Sequence, residues 1–431
     1  MSNGTHRTAA TAVALMLMAL AAPATAGTWG ATRTLEGPFA VSSPPESPRV
    51  VMNAGGEALL AWNATGRVRF AEKPASGRWT RSATVPGGAT GAGPVAAALS
   101  RGGLAAIAWT TVATRYTPSK LLVSWRVPGG RFGAAVEVAP GIGVWQIQIG
   151  TACDGSVTLL WVGAQGVTTA RQDGTGDSGA CDGVPVTTPW GAPQPLSAAQ
   201  VGATLPDLAL NDAGAALAAW QEGSRILAAL RPAAGDWGPA QVISVPTAFQ
   251  TWNAKAALDA QGRPAVGFLD GTRLFVVRGE ADGVWSTPVL VSGSQSVAYP
   301  ALGGNAAGDL VAAWQALDAG NAGSIWYSGG GVDGTWSAPA RLSGVAEDAA
   351  WPSVAVAADG GLALVAWVDQ STNVARAAVD AGAGWTRGTL GPGWWGGTVP
   401  VAAGAGAGMA GWAVPAPGNP NAATLVARPW R

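Results

Sequence analysis

The chain has 431 residues, and its 25 basic side chains balance 25 acidic ones, so the formal net charge is zero. Charged residues make up 12% of the chain, about half the usual share, whereas hydrophobic residues make up 48%. This composition lacks the basic surface that binding to nucleic acid or to an anionic membrane requires. The 63 glycines and 30 prolines indicate turns along the whole length.

The N-terminal residues 1–26 are typical of a secretory signal peptide. Arg7 provides the positive start, residues 12–22 are apolar, and a small-x-small cleavage site ends at Ala26. The apolar stretch is too short to span a bilayer, and no later segment has a transmembrane character. We therefore expect an extracellular or periplasmic protein without membrane insertion, in which residues 27–431 form one domain.

After the signal segment the chain repeats one unit, which carries an aromatic residue in each half. The first half runs from a proline through alternating apolar residues and a turn to a small apolar run, as from Pro206 to Trp220. The second half contains Gly-x-Trp and a strand that ends near Leu-Ser. The first anchors are Trp62, Trp109, Trp161, Trp220, Phe268, Trp314, Trp367 and Trp412; the second anchors are Trp79, Phe132, Trp190, Trp237, Trp285, Trp336, Trp385 and Trp29.

Each unit holds four strand-length apolar runs between turn signals, which predicts an all-β fold. In the fourth unit these runs are 207–210, 215–220, 226–230 and 240–244. Repeats of four strands favour a β-propeller of about eight four-stranded blades, with seven blades as the alternative. The eighth second anchor, Trp29, lies at the N-terminus, so the last blade takes three strands from Pro400 to Trp430 and its outer strand from Trp29 to Leu35.

Cysteine and histidine usage narrows the chemistry further. The only cysteines, Cys153 and Cys181, predict one local disulfide in an exported chain, and a metal or redox pair is the weaker alternative. The single histidine, His6, lies in the signal segment. The mature chain therefore has no Ser-His-Asp or Cys-His nucleophile and no His-ligated metal site. We expect no metal, no other cofactor and no identifiable catalytic residue.

Most aspartates lie in turns, where they are turn formers. Asp207 opens an inner strand instead, and Glu222, Asp270 and Asp369 directly follow first anchors. A position that recurs in every unit lies at one end of the ring, so these carboxylates form either a ligand-binding surface or an ordinary solvated loop.

Arginine and the remaining tryptophans supply further candidates. Arg225 and Arg273 begin the third strand of their units, where guanidinium groups suit anions or sugar hydroxyls, or discourage association of sheet edges. Five other arginines recur near the end of that strand: Arg126, Arg171, Arg231, Arg278 and Arg428. Five tryptophans lie outside both anchor series and are either sugar-stacking platforms or additional packing between blades: Trp145, Trp252, Trp351, Trp394 and Trp395.

The turn Asp333-Gly334-Thr335-Trp336 is close to the Asp-box pattern, and Asp282-Gly283-Val284-Trp285 is a looser match. On these turns the repeat resembles the sialidase-like group of bacterial propellers, and its Trp-rich blades are also similar to lectin-like propellers. The resemblance implies a propeller fold and carbohydrate recognition. It assigns no catalytic residue, since the arginine triad and the Tyr–Glu pair of sialidases have no recognisable match here.

Three functions remain open. The first is a secreted, non-enzymatic binding module, in particular a multivalent carbohydrate binder, because repeated blades create repeated weak sites. The second is a scaffold at the cell envelope that binds a cell-surface protein. The third is a carboxylate-dependent glycosidase, which needs two acids about 5–10 Å apart in one pocket.

Overall fold

The computed structural model describes residues 27–40, 46–111, 119–140, 144, 146–186, 190–199, 202–245, 250–394, 397–416 and 418–431. The signal segment, residues 1–26, lies outside the described residues. Within the described ranges all strands belong to eight four-stranded antiparallel sheets, and the single helical element is a 3-10 turn at Gly88–Thr90. In this part of the chain no helix has the length and apolar character needed to cross a membrane.

The first four blades follow one another along the chain. Blade 1 consists of β2 (Glu46–Met52), β3 (Ala58–Ala64), β4 (Arg67–Lys73) and β5 (Ala83–Thr84). Blade 2 consists of β6 (Gly91–Leu99), β7 (Ala105–Thr111), β8 (Lys120–Arg126) and β9 (Val136–Pro140). Blade 3 consists of β10 (Gln146–Thr151), β11 (Val157–Gly163), β12 (Gly166–Gln172) and β13 (Gln194–Pro195). Blade 4 consists of β14 (Ala203–Leu210), β15 (Ala216–Glu222), β16 (Arg225–Arg231) and β17 (Gln241–Val242).

The remaining blades repeat this pattern until the last one. Blade 5 consists of β18 (Thr251–Leu258), β19 (Pro264–Asp270), β20 (Arg273–Arg278) and β21 (Val289–Leu290). Blade 6 consists of β22 (Ser296–Gly304), β23 (Leu310–Leu317), β24 (Gly323–Gly330) and β25 (Ala340–Arg341). Blade 7 consists of β26 (Ala349–Val356), β27 (Ala363–Asp369), β28 (Val374–Asp380) and β29 (Trp385–Pro392). Blade 8 consists of β30 (Val401–Gly404), β31 (Ala407–Ala416), β32 (Asn419–Trp430) and the N-terminal β1 (Arg33–Ala40).

The first strands of the blades form a closed ring. Each contacts the first strand of the next blade, and β30 of blade 8 contacts β2 of blade 1. The molecule is therefore an eight-bladed β-propeller, as the repeat count predicts, and the seven-bladed alternative is wrong. Blade 3, which carries the two cysteines, also has all four strands.

The N-terminal strand completes the last blade, as predicted. β1 pairs antiparallel with β32, and an isolated bridge joins Trp29 to Trp430. The predicted outer strand, Trp29 to Leu35, differs from the observed Arg33–Ala40, because pairing continues along β32 beyond the anchor residue. The inner strand of blade 4 also differs from its prediction. It was expected to begin at Asp207, directly after a proline, but it begins at Ala203, because pairing with β15 extends to residues before the proline.

The first anchors are the centre of each contact between blades. Six tryptophans and Phe268 are at most 1% exposed, and Trp161 is 2% exposed. Trp62 of blade 1, for example, packs against Met409 and Leu425 of blade 8. Ala, Leu and Val on the neighbouring strands fill the remaining space, which explains why the second strand of each unit is apolar on both faces.

Two ends of the ring differ in their connections. The upper face carries the turns between the second and third strands and the linkers between blades, and the lower face carries the other turns. On the lower face Asn53 accepts a hydrogen bond from the Glu57 N–H and donates to Ser100 O of the next blade. Asn211 makes equivalent bonds to Ala215 and Asp259. The Asn/Asp turns therefore also join neighbouring blades.

Arginines at the end of third strands have the same role. Arg231 donates to Thr158 Oγ1 of blade 3, and Arg278 donates to Gly331 O of blade 6. Burial lowers the pKa of Arg231 to about 10. These guanidinium groups donate hydrogen bonds to hydroxyl and backbone oxygens of the neighbouring blade, and buried oxygens of this kind need such a donor.

The predicted disulfide is present. Cys153, in the turn after β10, is bonded to Cys181, in the insertion between β12 and β13. Both residues are buried, and Gly183 of the insertion donates a hydrogen bond to Cys153 O at 3.2 Å. The bond therefore holds the insertion against the first turn of blade 3.

Candidate functional site

The upper ends of four neighbouring inner strands, in blades 4 to 7, share an unusual backbone. Their register with the second strand shifts at one residue, as in a β-bulge. The bulged residues have left-handed backbone angles, with φ between 47° and 59°: Leu205, Asn253, Tyr299 and Trp351. Such a conformation costs about 1–3 kcal/mol for a residue other than glycine and is concentrated at functional sites. The upper end of the channel is therefore the first place to look for a ligand site.

Aromatic residues recur at the upper ends of these inner strands and in the linker to blade 8. Tyr299 is 48% exposed, and its ring lies edge-on to that of Trp351, with ring centroids 6.3 Å apart. Trp252, Trp351 and Trp394 are half-buried. We call Trp252, Tyr299, Trp351 and Trp394 the aromatic arc, since they follow one another from blade 5 to the start of blade 8. Their partly exposed faces can pack against a ligand.

Hydrogen bonds connect the first residue of the arc, Trp252, and its neighbour Thr251 to two adjacent turns. The Trp252 indole N–H donates to Gly271 O at 3.2 Å, and Thr251 Oγ1 donates to Ser224 O at 2.5 Å. Ser224 lies in the upper turn of blade 4, and Gly271 lies in the upper turn of blade 5. Trp252 is therefore held between two turns of neighbouring blades.

These two turns carry four further candidates from the sequence. Glu222 is the register partner of Arg225, and Asp270 is the register partner of Arg273. The side chain of Arg225 is 59% exposed, with its guanidinium 3.9 Å from the Glu222 carboxylate. Arg273 is exposed, and Asp270 is buried. Arg225 and Arg273 thus directly follow the two turns to which Thr251 and Trp252 are hydrogen-bonded, so hydrogen-bond donors and an apolar face lie at the same end of the ring.

Asp369 occupies the corresponding turn of blade 7 and is 1% exposed. Its carboxylate accepts hydrogen bonds from Ser371 Oγ at 2.6 Å and Thr372 Oγ1 at 2.7 Å, and from Arg376 at 3.3 Å. Burial acts to raise the pKa of Asp369, but these bonds outweigh it, so the pKa lies below the ordinary value. This carboxylate is ionised, and the hydroxyl groups of its own turn already use its oxygens as hydrogen-bond acceptors.

Replacing Asp369 with Asn is expected to lower the free energy of unfolding at pH 7 by about 1–3 kcal/mol, because buried donors lose a charged acceptor. The stabilisation is present above about pH 4, the pKa of an unfolded aspartate, and is lost as the pH falls through the lower native pKa. Chemical denaturation at pH 7 and pH 3 measures both effects. Asp359→Asn, in an exposed turn, is the matched control, and equal losses in the two variants would contradict the assignment.

The same network contains a carboxylate that sequence reasoning missed. Glu347, in the linker before blade 7, lies 3.3 Å from the Arg376 guanidinium and 2.8 Å from that of Arg387. It also accepts a hydrogen bond from the indole of Trp367 at 3.1 Å. A general acid needs a raised pKa. The lowered pKa of Asp369 and the shared arginine indicate a structural ion-pair network instead.

Below the bulges, the inner strands carry a polar level inside the channel. It lies two residues further along each strand, where Asp207 follows Leu205 and Lys255 follows Asn253. Arg49, Gln148 and Ser353 have corresponding register positions. Gln148 donates to Asp207 Oδ1 at 3.3 Å, and the Ala256 N–H donates to Asp207 Oδ2 at 2.9 Å. Side chains of one blade thus bond the inner strand of the next.

The lower end of the channel is chemically different. A cavity of about 270 Å³ there is bordered by the turns of seven blades, with apolar side chains such as Met52 and Leu258. The Arg101–Asp212 ion pair, at 2.8 Å, lies at this cavity, and Asn53 and Asn211 bond neighbouring turns. These polar groups already bond one another, so the upper end is the better candidate.

Two predicted platforms, Trp145 and Trp395, lie outside the described residues. Glu222, Arg225, Asp270 and Arg273 belong to the two upper turns to which Thr251 and Trp252 are hydrogen-bonded, and Trp351 and Trp394 lie further along the same face. Tyr299 was missed as a binding residue, although the proline that follows it marks the same position in several units.

Comparison with known proteins gives the fold alone. No protein-family model matches the chain, and no curated protein matches it. A solved prolyl endopeptidase is 13% identical, with a TM-score of 0.51 over 81% of this chain and 50% of that enzyme. The NanB sialidase of Streptococcus pneumoniae is 9% identical, with a TM-score of 0.41 over 75% and 65% of the two chains. The fucose-specific lectin of Aleuria aurantia is 13% identical, with a TM-score of 0.36 over 72% and 100%.

This chain shares only its fold with the prolyl endopeptidase, and it spans half the length of that enzyme. The comparisons and the strand topology together show a β-propeller, here of eight blades closed by the N-terminal strand.

Proposed function

We propose that this protein is an exported, non-enzymatic carbohydrate-binding module whose ligand lies along the aromatic arc. The observation that carries the proposal is the pair Tyr299 and Trp351. Both have strained left-handed backbones, and both present aromatic surface at the channel mouth. A strained conformation persists when the surrounding fold enforces it, and bulges redirect side chains beside binding sites.

The chemistry of the arc suits a sugar. A pyranose has an apolar face formed by its C–H groups and an edge of hydroxyls, so it needs an aromatic surface with hydrogen-bond donors beside it. Trp252 with Arg225 and Arg273 supplies that combination in blades 4 and 5, and Tyr299 and Trp351 extend the aromatic surface. Ligand pockets generally combine aromatic walls with a few placed polar groups.

The ring arrangement favours a multivalent contact. Each of several blades contributes one position to the arc, so successive sugar residues can each meet a separate blade. Individually weak contacts then add through effective concentration when one chain engages all of them. An oligosaccharide is therefore a better ligand than a monosaccharide.

A binding role without catalysis agrees with the carboxylates. Asp369 and Glu347 are tied to Arg376, and Asp207 is hydrogen-bonded within the channel. Export is part of the proposal: residues 1–26 form the predicted signal peptide, and disulfides persist in oxidising compartments.

The test is a glycan array followed by calorimetric titration of wild type and of Tyr299→Gly. Glycine adopts a positive φ without strain, so this variant is expected to keep its thermal stability while its affinity falls by at least about tenfold, or 1.4 kcal/mol. Trp351→Ala is expected to lose binding as well, together with some packing.

Tyr327→Ala is the matched control for this experiment. Tyr327 lies midway along β24 and packs against Trp385, with ring centroids 4.9 Å apart. Its loss is expected to lower the melting temperature and leave glycan affinity unchanged. An array without specific hits, or full affinity in Tyr299→Gly, would remove the proposal.

A second candidate function, a scaffold that binds a cell-surface protein, is favoured by one observation. Apolar side chains are exposed near the outer edges of blades 4 and 5: Val242 (48%), Val245 (41%), Val284 (64%), Val289 (43%) and Leu290 (38%). The outer strands there have only two residues each. Affinity capture with wild type and with Val284→Asp tests this function, because a surface partner should be lost from the variant.

A further inference from the structure

Two cationic residues lie on inner strands at opposite sides of the ring. Arg49 lies on the inner strand of blade 1 and Lys255 on that of blade 5, four blades away in a ring of eight and so on the opposite side. Their register partners, Ala61 and Gly267, both immediately precede a first anchor. The two residues therefore lie at the same depth in the channel.

Solvent reaches this level from the channel. Arg49 is exposed to solvent, yet burial lowers its pKa, because protein surrounds the water-accessible channel on all sides. Asp207 partly offsets that effect on Arg49. Burial raises the pKa of Asp207, and Lys255 and Arg49 both oppose the rise. Both cations are thus close enough to Asp207 to influence its carboxylate.

The single carboxylate at this level is already engaged. Gln148 and the Ala256 N–H occupy its two oxygens. In the described part of the chain, neither Arg49 nor Lys255 forms an ion pair with a carboxylate. Arg49 has one long hydrogen bond, to Val95 O at 3.4 Å. Two cations and at most one anion leave this level with a net positive charge.

We propose that Arg49 and Lys255 bind the carboxylate of an acidic sugar, which enters the channel from the aromatic arc. This inference rests on the proposed carbohydrate function and names the ligand class. The level lies two residues below the bulges, about 7 Å along a strand, so a carboxylate on a sugar held at the arc reaches it. A guanidinium fork matches a carboxylate, and the confined channel strengthens the attraction relative to bulk water.

The experiment compares trigalacturonate with galactotriose, an acidic and a neutral trisaccharide, by calorimetric titration of the full exported chain. Wild type is expected to bind the acidic ligand at least tenfold more tightly. In Arg49→Gln and Lys255→Gln this preference is expected to fall by at least fivefold, while affinity for galactotriose stays within twofold. Arg33→Gln, exposed on the outer strand of blade 8, is the matched control and should keep the preference.

Sodium acetate as a third probe separates the two proposals. Equal affinity for both trisaccharides, or an acidic preference that survives in Arg49→Gln, overturns the channel site and leaves the carbohydrate function standing. Acetate binding that depends on Arg49, without binding of either trisaccharide or any array glycan, overturns the carbohydrate function instead. Absence of binding to all probes overturns both. Circular dichroism and melting temperature of each variant confirm that the fold is retained.

Discussion

Deletion of residues 27–40 is expected to abolish the cooperative thermal unfolding of this protein, because the deletion opens the ring. β1 is the outer strand of blade 8 and covers the edge of β32. Further upstream, Thr28 and Arg431 exchange two backbone hydrogen bonds. Without β1, the chain connects blade 8 covalently only to blade 7, and the interface between blades 8 and 1 loses the apolar side chains and the backbone pairing that β1 supplies.

The energetic reason lies in two side chains of β1. Leu35 and Phe39 are buried in the cluster that contains Trp62 of blade 1 and Leu425 of blade 8. They therefore fill the seam at which the two ends of the chain meet. Truncating a buried Leu or Phe to Ala typically costs about 2–5 kcal/mol, and deletion removes both together with the strand.

Differential scanning calorimetry of the deletion variant measures the effect directly. Leu35→Ala is a milder companion that should fold with a lower melting temperature, and Thr34→Ala, exposed on the same strand, should change the stability by less than about 0.5 kcal/mol. If the deletion variant unfolds in one sharp transition near the wild-type temperature, the ring does not depend on this strand.

Replacing both cysteines with alanine is expected to destabilise blade 3 by about 3.5 kcal/mol, the chain-entropy value for a loop of this length. Cys153 and Cys181 are 28 residues apart, and the insertion between β12 and β13, which contains Cys181, has many turns and few buried apolar side chains. Its remaining attachments are backbone hydrogen bonds such as Gly176 N–H to Asp154 O at 3.0 Å. Without the disulfide, the unfolded insertion regains most of its conformational freedom.

Urea denaturation with and without a reducing agent tests this prediction. Reduced wild type should match the double variant, and the double variant itself should not respond to the reducing agent. Limited proteolysis should cut the insertion, around residues 173–186, first. Equal urea midpoints for oxidised wild type and the double variant would show that the packing of the insertion is sufficient without the bond.

The repeat pattern was sufficient to predict the blades. Trp62, Trp314 and Trp367 recur at one place because each fills the same space between two apolar sheets, and all three are completely buried. The displaced Trp29 predicted closure by the N-terminus, since a ring must join its ends. The predicted boundary of that strand was several residues too early, because hydrogen bonding depends on its partner β32, whose length the pattern does not show.

The candidate site was predicted less completely. Glu222, Asp270 and Asp369 were expected at one end of the ring because they follow first anchors, and the turns that carry them lie at that end. Asp369 came from the same pattern, yet its own turn engages its carboxylate. The pattern shows which residue type follows each first anchor, but not the direction of its side chain. That direction depends on neighbouring residues, such as Arg376 on the next strand, which donates to Asp369.

The sequence by itself determined the all-β class, the eight repeats, the closure by the N-terminus and the disulfide between Cys153 and Cys181. These features follow from local periodicity and from residues that recur at fixed intervals. Only the tertiary structure decided that Tyr299 and Trp351 meet at the upper end of the inner strands and that Arg49 and Lys255 lie at one depth on opposite sides of the ring. Residues of different repeats become neighbours through the circular arrangement of the blades, and the bulges that present them arise from strand pairing rather than from local propensity.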